Sequence, residues 1–221
     1  SSATYHANQG HNVYVLKKNS KLGGRARQFS SKGFTFDMGP SWYWMPDVFE
    51  KYFNDFDKNI EDYLKLKRLD PSYKVFFDDG HIDVPANYQE LKNLFESMEE
   101  GSGDNLDLFI SQAEKKYKVG IQNLVYKPGL SIKEFIDRDT ITGVFQLDIF
   151  KSMHSHIRKY FKNEKIIKLL EFPILFLGAT PKNTPALYSL MNFADIKLGT
   201  WFPEGGMYKI VEAMVELAKE K

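Results

Sequence analysis

The sequence predicts an α/β protein, α+β over the stretch in hand: a sheet-forming N-terminal part, a helix-rich middle and a short return to extended structure. Three observations carry this prediction. Residues 11–41 read as a strand, a glycine pair followed by arginine, a hairpin and a tight Asp-Met-Gly-Pro turn. From Asn87 onward, apolar residues recur at helical spacing. Near the end, residues 199–203 turn extended again before one last helical stripe. The expected divisions are residues 1–86, 87–197 and 198–221.

A short helix is expected over residues 1–8, closed by Gly10 in a C-terminal cap position. Residues 12–16 read as a strand with Val13 and Val15 on one face. A loop follows as far as Gly24. Residues 25–29 and 33–37 then form a hairpin around Ser30-Ser31-Lys32. Pro46 suits the first turn of a helix, and Val48, Phe49, Tyr52, Phe53 and Phe56 recur at helical spacing behind it. Asp78-Asp79-Gly80, between residues 73–77 and 81–84, is a strong hairpin signal. Residues 88–100 and 104–126 are amphipathic helices separated by Gly101-Ser102-Gly103. Ser131 with Glu134 three residues later makes a capping box for another helix. Residues 147–160, 164–170 and 185–194 also read as helical. Residues 206–219 form the last helix, with Ile210, Met214 and Leu217 on one stripe.

Composition bounds the function. With 221 residues, 43% of them hydrophobic and 15% aromatic, the chain can build one good core or two modest ones. The net charge is +1, so no global field recruits nucleic acid, and no nucleic-acid partner is expected. Cysteine is absent, which removes disulfides, thiolate metal sites, iron–sulfur clusters and cysteine nucleophiles, and fits a reducing compartment. His154 and His156 are two residues apart and fall on different helix faces, so no metal site is expected there. No apolar run reaches about 18 residues, so no membrane span is expected. Nothing in the sequence sets an oligomeric state. The chain starts without Met, in what reads as mid-helix, and is expected to be a fragment.

A dinucleotide lying across a sheet edge imposes four demands. A glycine loop lets a helix N-terminus approach the pyrophosphate. An acceptor at the end of the second strand binds ribose hydroxyls. Small residues let the backbone pass close to the cofactor, and a cation balances phosphate charge. Here the phosphate loop is not found. Lys17 stands at the end of the strand. Gly23 and Gly24 are the close-approach residues, and Arg25 is a cation suited to a bidentate grip on phosphate.

These residues, with the blocks that follow them, carry a family resemblance. Gly10-His11, Gly23-Gly24-Arg25 and Gly33-Phe34-Thr35-Phe36-Asp37-Met38-Gly39-Pro40-Ser41 resemble the FAD-dependent carotene desaturases of the bacterial phytoene desaturase type. So do Leu170-Glu171-Phe172-Pro173, Phe176-Leu177-Gly178-Ala179-Thr180-Pro181 and Trp201-Phe202-Pro203-Glu204-Gly205-Gly206-Met207. The resemblance runs over essentially the whole chain and covers about half of a full family member. It implies a Rossmann-like FAD-binding domain, incomplete in this chain, joined to a helix-rich substrate region. It also implies stepwise desaturation of a long apolar polyene such as phytoene, in the cytoplasm at a membrane surface. By position, Lys17, Gly23, Gly24 and Arg25 would lie at the cofactor, Met38, Gly39 and Pro40 would turn beside the flavin, and Gly205 and Gly206 would shape the same cavity.

Lys17 departs from the family, which places Glu there. A lysine accepts no hydrogen bond from a ribose. It favours a 2′-phosphate electrostatically, whereas Gly-Gly-Arg argues for FAD. Taken by itself, this chain is expected to hold FAD weakly, to be inactive and to leave an unpaired sheet edge. Polyene isomerisation or terminal oxidation on the same scaffold, and a non-catalytic lipid-binding remnant, stand as alternative readings. Glu134 is the single candidate for proton removal or charge stabilisation, beside its simpler capping role. Trp42, Tyr43 and Trp44 read as core or as a lipid entrance. Lys151, Arg158, Lys159, Lys162, Lys165 and Lys168, interleaved with Ile157, Tyr160, Phe161, Ile166 and Ile167, read as a lipid-lying surface or a solvated helix face.

Overall fold

The computed structural model describes residues 1–126 and 151–221. In chain order its elements are α1 (Ser2–Asn8), β1 (Gln28–Ser31), β2 (Phe34–Asp37), α2 (Pro46–Asn54), β3 (Leu66–Arg68), β4 (Tyr73–Phe77), β5 (Gly80–Val84), α3 (Tyr88–Met98), α4 (Ser102–Tyr117), α5 (Met153–Ile157), α6 (Glu164–Glu171), α7 (Leu190–Phe193), β6 (Trp201–Pro203) and α8 (Tyr208–Glu220). The chain divides into two compact units. One comprises Ser1–Ser72 and Gly199–Lys221, the other Tyr73–Leu198.

In the first unit, α1 ends on paired bonds from Gly10 N to Ala7 O and His11 N to His6 O, with Gly10 left-handed. That is the glycine-capped end its sequence predicts. Strands β1 and β2 pair in register from Gln28 opposite Asp37 to Ser31 opposite Phe34. The turn between them is Lys32-Gly33, not Ser30-Ser31-Lys32. Both turn residues have positive φ, 50° and 83°, the twist that lets a two-residue turn join antiparallel strands. Pro46 opens α2, and Phe53 and Phe56 bury with Ile60, Leu64, Ala213 and Leu217. Strand β6 pairs antiparallel with β3, Leu66 opposite Pro203 and Arg68 opposite Trp201. On its other side Tyr43 and Trp201 exchange backbone bonds of 2.9 and 3.1 Å. Helix α8 then lays Ala213 and Leu217 into the same core.

The expected strand over residues 12–16 is not formed among the described residues. A strand exists only where a second backbone takes its hydrogen bonds. None lies alongside here, and Tyr14 and Leu16 stand 87% and 94% exposed. Among the described residues every strand pairing is antiparallel, in three two-stranded sheets. The described residues are mixed helix and strand, the α+β make-up expected over this stretch.

In the second unit, β4 and β5 form the expected hairpin, with Gly80 already in β5 and the turn reduced to Asp78-Asp79. Asn87 caps α3 by accepting from Gln89 N and Glu90 N at 2.8 and 3.2 Å. Glu96 then reaches ahead and accepts from Gly101 N and Gly103 N at 2.8 and 2.9 Å. The interhelical break is as long as its sequence suggests but lies two residues earlier, over residues 99–101, with α4 beginning at Ser102. Asn163 caps α6, and Glu99 accepts from Lys162 N and Asn163 N. The core joins Leu91, Phe95, Leu106, Phe109, Ile157, Phe161, Ile166 and Ile167.

This last set decides one expectation. Ile157, Phe161, Ile166 and Ile167 face the core, while Arg158 pairs with Glu164 and Lys165 with Asp79. The basic residues line a solvated face and share no apolar lipid-facing stripe with those four side chains. Glu134 and its capping box lie outside the described residues. No described helix is long and apolar enough to cross a membrane.

Candidate functional site

Three turns of the first unit converge. The first is Gly23-Gly24-Arg25, a short 3₁₀ turn closed by Ala26 N to Gly23 O at 2.9 Å. The second is residues 38–40, tied back by Met38 N to Arg27 O at 2.8 Å. The third is Gly205-Gly206, closed by Gly206 N to Pro203 O at 3.0 Å and followed at once by α8.

Backbone contact between the turns explains their glycines. Gly39 has φ +122°, and a Cβ there would be driven into the Arg25 carbonyl oxygen. Only a residue without a side chain lets the first two turns touch. Gly206 has φ +103°, and its Cβ would stand 2.8 Å from Asp37 Oδ2. Gly23 backs onto α8, where a Cβ would meet Val211 at 3.2 Å and the Tyr208 ring at 3.3 Å. Gly24 differs from all of these. Its φ is +56°, and a Cβ would meet no protein atom within 4 Å.

Asp37 sits between the turns. Its Oδ2 accepts from Met207 N at 2.7 Å and its Oδ1 from Tyr208 N at 3.1 Å. The first amides of α8, which in another protein would face an anionic ligand, are thus taken by the protein's own carboxylate. Sequence reading placed Asp37 within a turn motif and gave it no role of its own; its partners lie about 170 residues downstream.

The remaining candidates divide. Arg25 is exposed and, among the described residues, its guanidinium makes no ion pair. It fits a phosphate group, and the open side of Gly24 fits the close passage of a cofactor. Met38 is half-buried, and Pro40 is exposed. Lys17 fits less well. Its ammonium donates to Ser20 O at 2.6 Å, within its own loop, and offers no acceptor for a ribose. Beside Gly23 opens a largely apolar cleft of about 770 Å³, walled by α1, residues 11–15 and α8, with Val13, Val15, Leu22 and Met214 among its lining.

Of the neighbouring aromatic residues, Tyr43 lies in the core while Trp42 and Trp44 are half-buried. Trp44 Nε1 donates to Thr200 Oγ1 at 2.7 Å, and Tyr43 stacks on Phe49. Tyr43 is 1% exposed and its hydroxyl finds no partner among the described residues. Burial, with Glu50 and Asp47 adding to it, pushes that phenol far above its ordinary range.

The second unit holds two buried polar contacts that no motif announced. Lys116, 2% exposed, directs its ammonium at His156 Nε2, Ala186 O and Ser189 Oγ at 3.3, 3.1 and 3.2 Å. The available signal was a lysine on the apolar stripe of α4, one turn after Ala113 and beside Tyr117. Tyr73 donates to buried Asp195 at 2.7 Å, and burial followed by that carboxylate's charge raises the phenol. His154 instead bonds Glu171 at 2.7 Å, so the two histidines serve different partners.

The chain matches the flavin containing amine oxidoreductase family over residues 1–221 and belongs to it. FAD is the cofactor that this membership implies. The chain is 40% identical over 222 residues to the carotenoid 3,4-desaturase of Haloarcula japonica, covering all of this chain and 45% of that protein. It is 36% identical over 215 residues to the 4,4'-diapophytoene desaturase (4,4'-diaponeurosporene-forming) of Staphylococcus aureus strain Newman, covering 97% of this chain and 43% of that one. The chain spans under half the length of the curated relatives it matches.

Proposed function

We propose that this chain is part of an FAD-dependent desaturase of a long apolar polyene, within a Rossmann-like cofactor domain. The observation that carries the cofactor assignment is the convergence of the three glycine turns beside an open Gly24 and an exposed Arg25, whose guanidinium makes no ion pair among the described residues. The substrate class rests on the similarity to two carotenoid-type desaturases along nearly the whole chain.

When bound, FAD supplies an acceptor for hydride from the polyene, and a proton leaves the neighbouring carbon. The chain's own residues bind and orient. Arg25 neutralises phosphate charge. Gly24 would let the backbone lie against the cofactor, and the 38–40 turn, packed on the Arg25 carbonyl, would hold that backbone in place. Lys17 contributes charge rather than a ribose acceptor.

The protein meets the membrane peripherally in this proposal, since the substrate dissolves in lipid. Supporting this are Leu175, Phe176 and Leu177 of the second unit, 62%, 55% and 42% exposed in sequence. The first unit adds a hairpin face carrying Phe29, Phe34 and Phe36.

The deciding experiment uses Gly24→Asn. Asparagine tolerates positive φ, and its Cβ would meet no described protein atom within 4 Å. The variant is expected to fold as wild type yet lose FAD affinity in a flavin-fluorescence titration and lose polyene desaturation by product chromatography. Unchanged FAD binding would remove the cofactor from this turn. Conversion of the polyene to an isomer, with no gain in conjugation, would replace desaturation by isomerisation.

A further inference from the structure

We infer that Asp37 is a positioning residue for the cofactor site: its carboxylate holds the 38–40 turn and the Gly205-Gly206 turn at one fixed separation. This rests on the FAD reading of the site given above. An ordinary helix cap is supplied by the residue next to the helix. The cap of α8 comes from the end of β2, 170 positions away, immediately before Met38. Its two oxygens take two successive amides, Met207 N and Tyr208 N. Neither oxygen can be given up without leaving a donor at the helix start unsatisfied.

The surroundings are built to that carboxylate. Gly206 leaves room for Oδ2 only because it lacks a Cβ. Gly39, two residues after Asp37, touches the carbonyl of Arg25. Gly23 rests on Val211 and Tyr208 of the same helix that Asp37 caps. A closed circuit results, running from Asp37 through α8 to Gly23, along Arg25 to Gly39 and back. Moving the carboxylate moves the two turns that face the cofactor.

Aspartate suits the task better than its neighbours in size. Asparagine has one acceptor oxygen and would set an NH₂ against a backbone N–H. Glutamate adds a methylene where Gly206 leaves no slack. Asp37 touches no reacting atom in this assignment. It acts through the backbone of the turns.

The test compares wild type, Asp37→Asn, Asp37→Ala and Thr35→Val in the full-length flavoprotein, with FAD as the probe. Thr35→Val keeps the hairpin and removes only the Ser30–Thr35 hydroxyl contact of 3.1 Å. Asp37→Asn is expected to weaken FAD about ten-fold, the scale of one lost charge-assisted hydrogen bond, and to shift the visible flavin band. Thr35→Val is expected to bind as wild type. Formate, but not chloride at equal ionic strength, is expected to restore FAD affinity to Asp37→Ala by supplying the missing carboxylate. Hydrogen exchange at Met207 and Tyr208 should quicken in both Asp37 variants. FAD affinity and flavin spectrum unchanged in Asp37→Asn would overturn the positioning role. Should wild type itself take up no FAD, the reading of the site fails. Exchange at the two amides then judges the clamp alone, and equal rates in wild type and variant would sink it.

Discussion

Glycines that share a positive φ do different work here, and substitution separates them. Gly39→Ala and Gly206→Ala each combine a left-handed backbone with a Cβ that has no room. Each is expected to cost about 1–3 kcal/mol of stability, read from urea midpoints. Gly24→Asn meets open space and should cost far less, so its effect falls on the ligand rather than the fold. Tyr43 offers a prediction of opposite sign. Its buried hydroxyl has no partner among the described residues, and a buried unsatisfied group carries a penalty of about 1–3 kcal/mol. Tyr43→Phe is therefore expected to hold or raise the melting temperature. A clear fall would show that the hydroxyl has a partner in solution. At this scale the sequence was legible where chemistry is local. Gly23-Gly24-Arg25 could be singled out because a glycine pair before arginine is itself a signal. Asp37 could not, because its amide partners lie about 170 residues further on.

Among the elements, the helix ends held by side chains carry the sharpest predictions. Asn163 caps α6 through Lys165 N at 2.9 Å, so Asn163→Ala is expected to cost about 1 kcal/mol in chemical denaturation. Glu96 spans the turn between α3 and α4. The Gly101 amide first, then that of Gly103, hold its carboxyl below the ordinary range. Since the folded value is the lower one, its contribution is present above the ordinary glutamate range. It is lost as pH falls through that range toward the folded value. Glu96→Gln should flatten the acid limb of a stability-versus-pH curve and leave neutral stability less changed. An identical acid limb would show that other carboxylates dominate. The periodic helices were legible because amphipathic spacing is written in the chain, as in α2, α3 and α6. Strand β3 was not: Leu66, Lys67 and Arg68 carry no alternation that marks a strand. They become one because β6 returns from the far end of the chain to pair with them.

For the molecule as a whole, each unit has its own core. Phe53→Ala in the first and Phe109→Ala in the second are each expected to cost about 3–5 kcal/mol, since both rings are 0–1% exposed. Hydrogen exchange should show the lost protection concentrated in the unit that carries the substitution. Protection lost equally everywhere would mean that the two cores melt as one.

The sequence by itself determined the helices, the two hairpins, the absence of thiol chemistry and the flavin family, because these depend on periodicity, turn residues and short ordered motifs. Tertiary structure decided the rest. It left residues 12–16 without a ladder, since a strand needs a second backbone, and it turned Ile157, Phe161, Ile166 and Ile167 inward, away from any lipid face. It also brought Gly23, Gly39 and Gly206 to one carboxylate-centred junction. Contacts between residues far apart in sequence are set by how the whole chain closes its cores, and no local pattern records them.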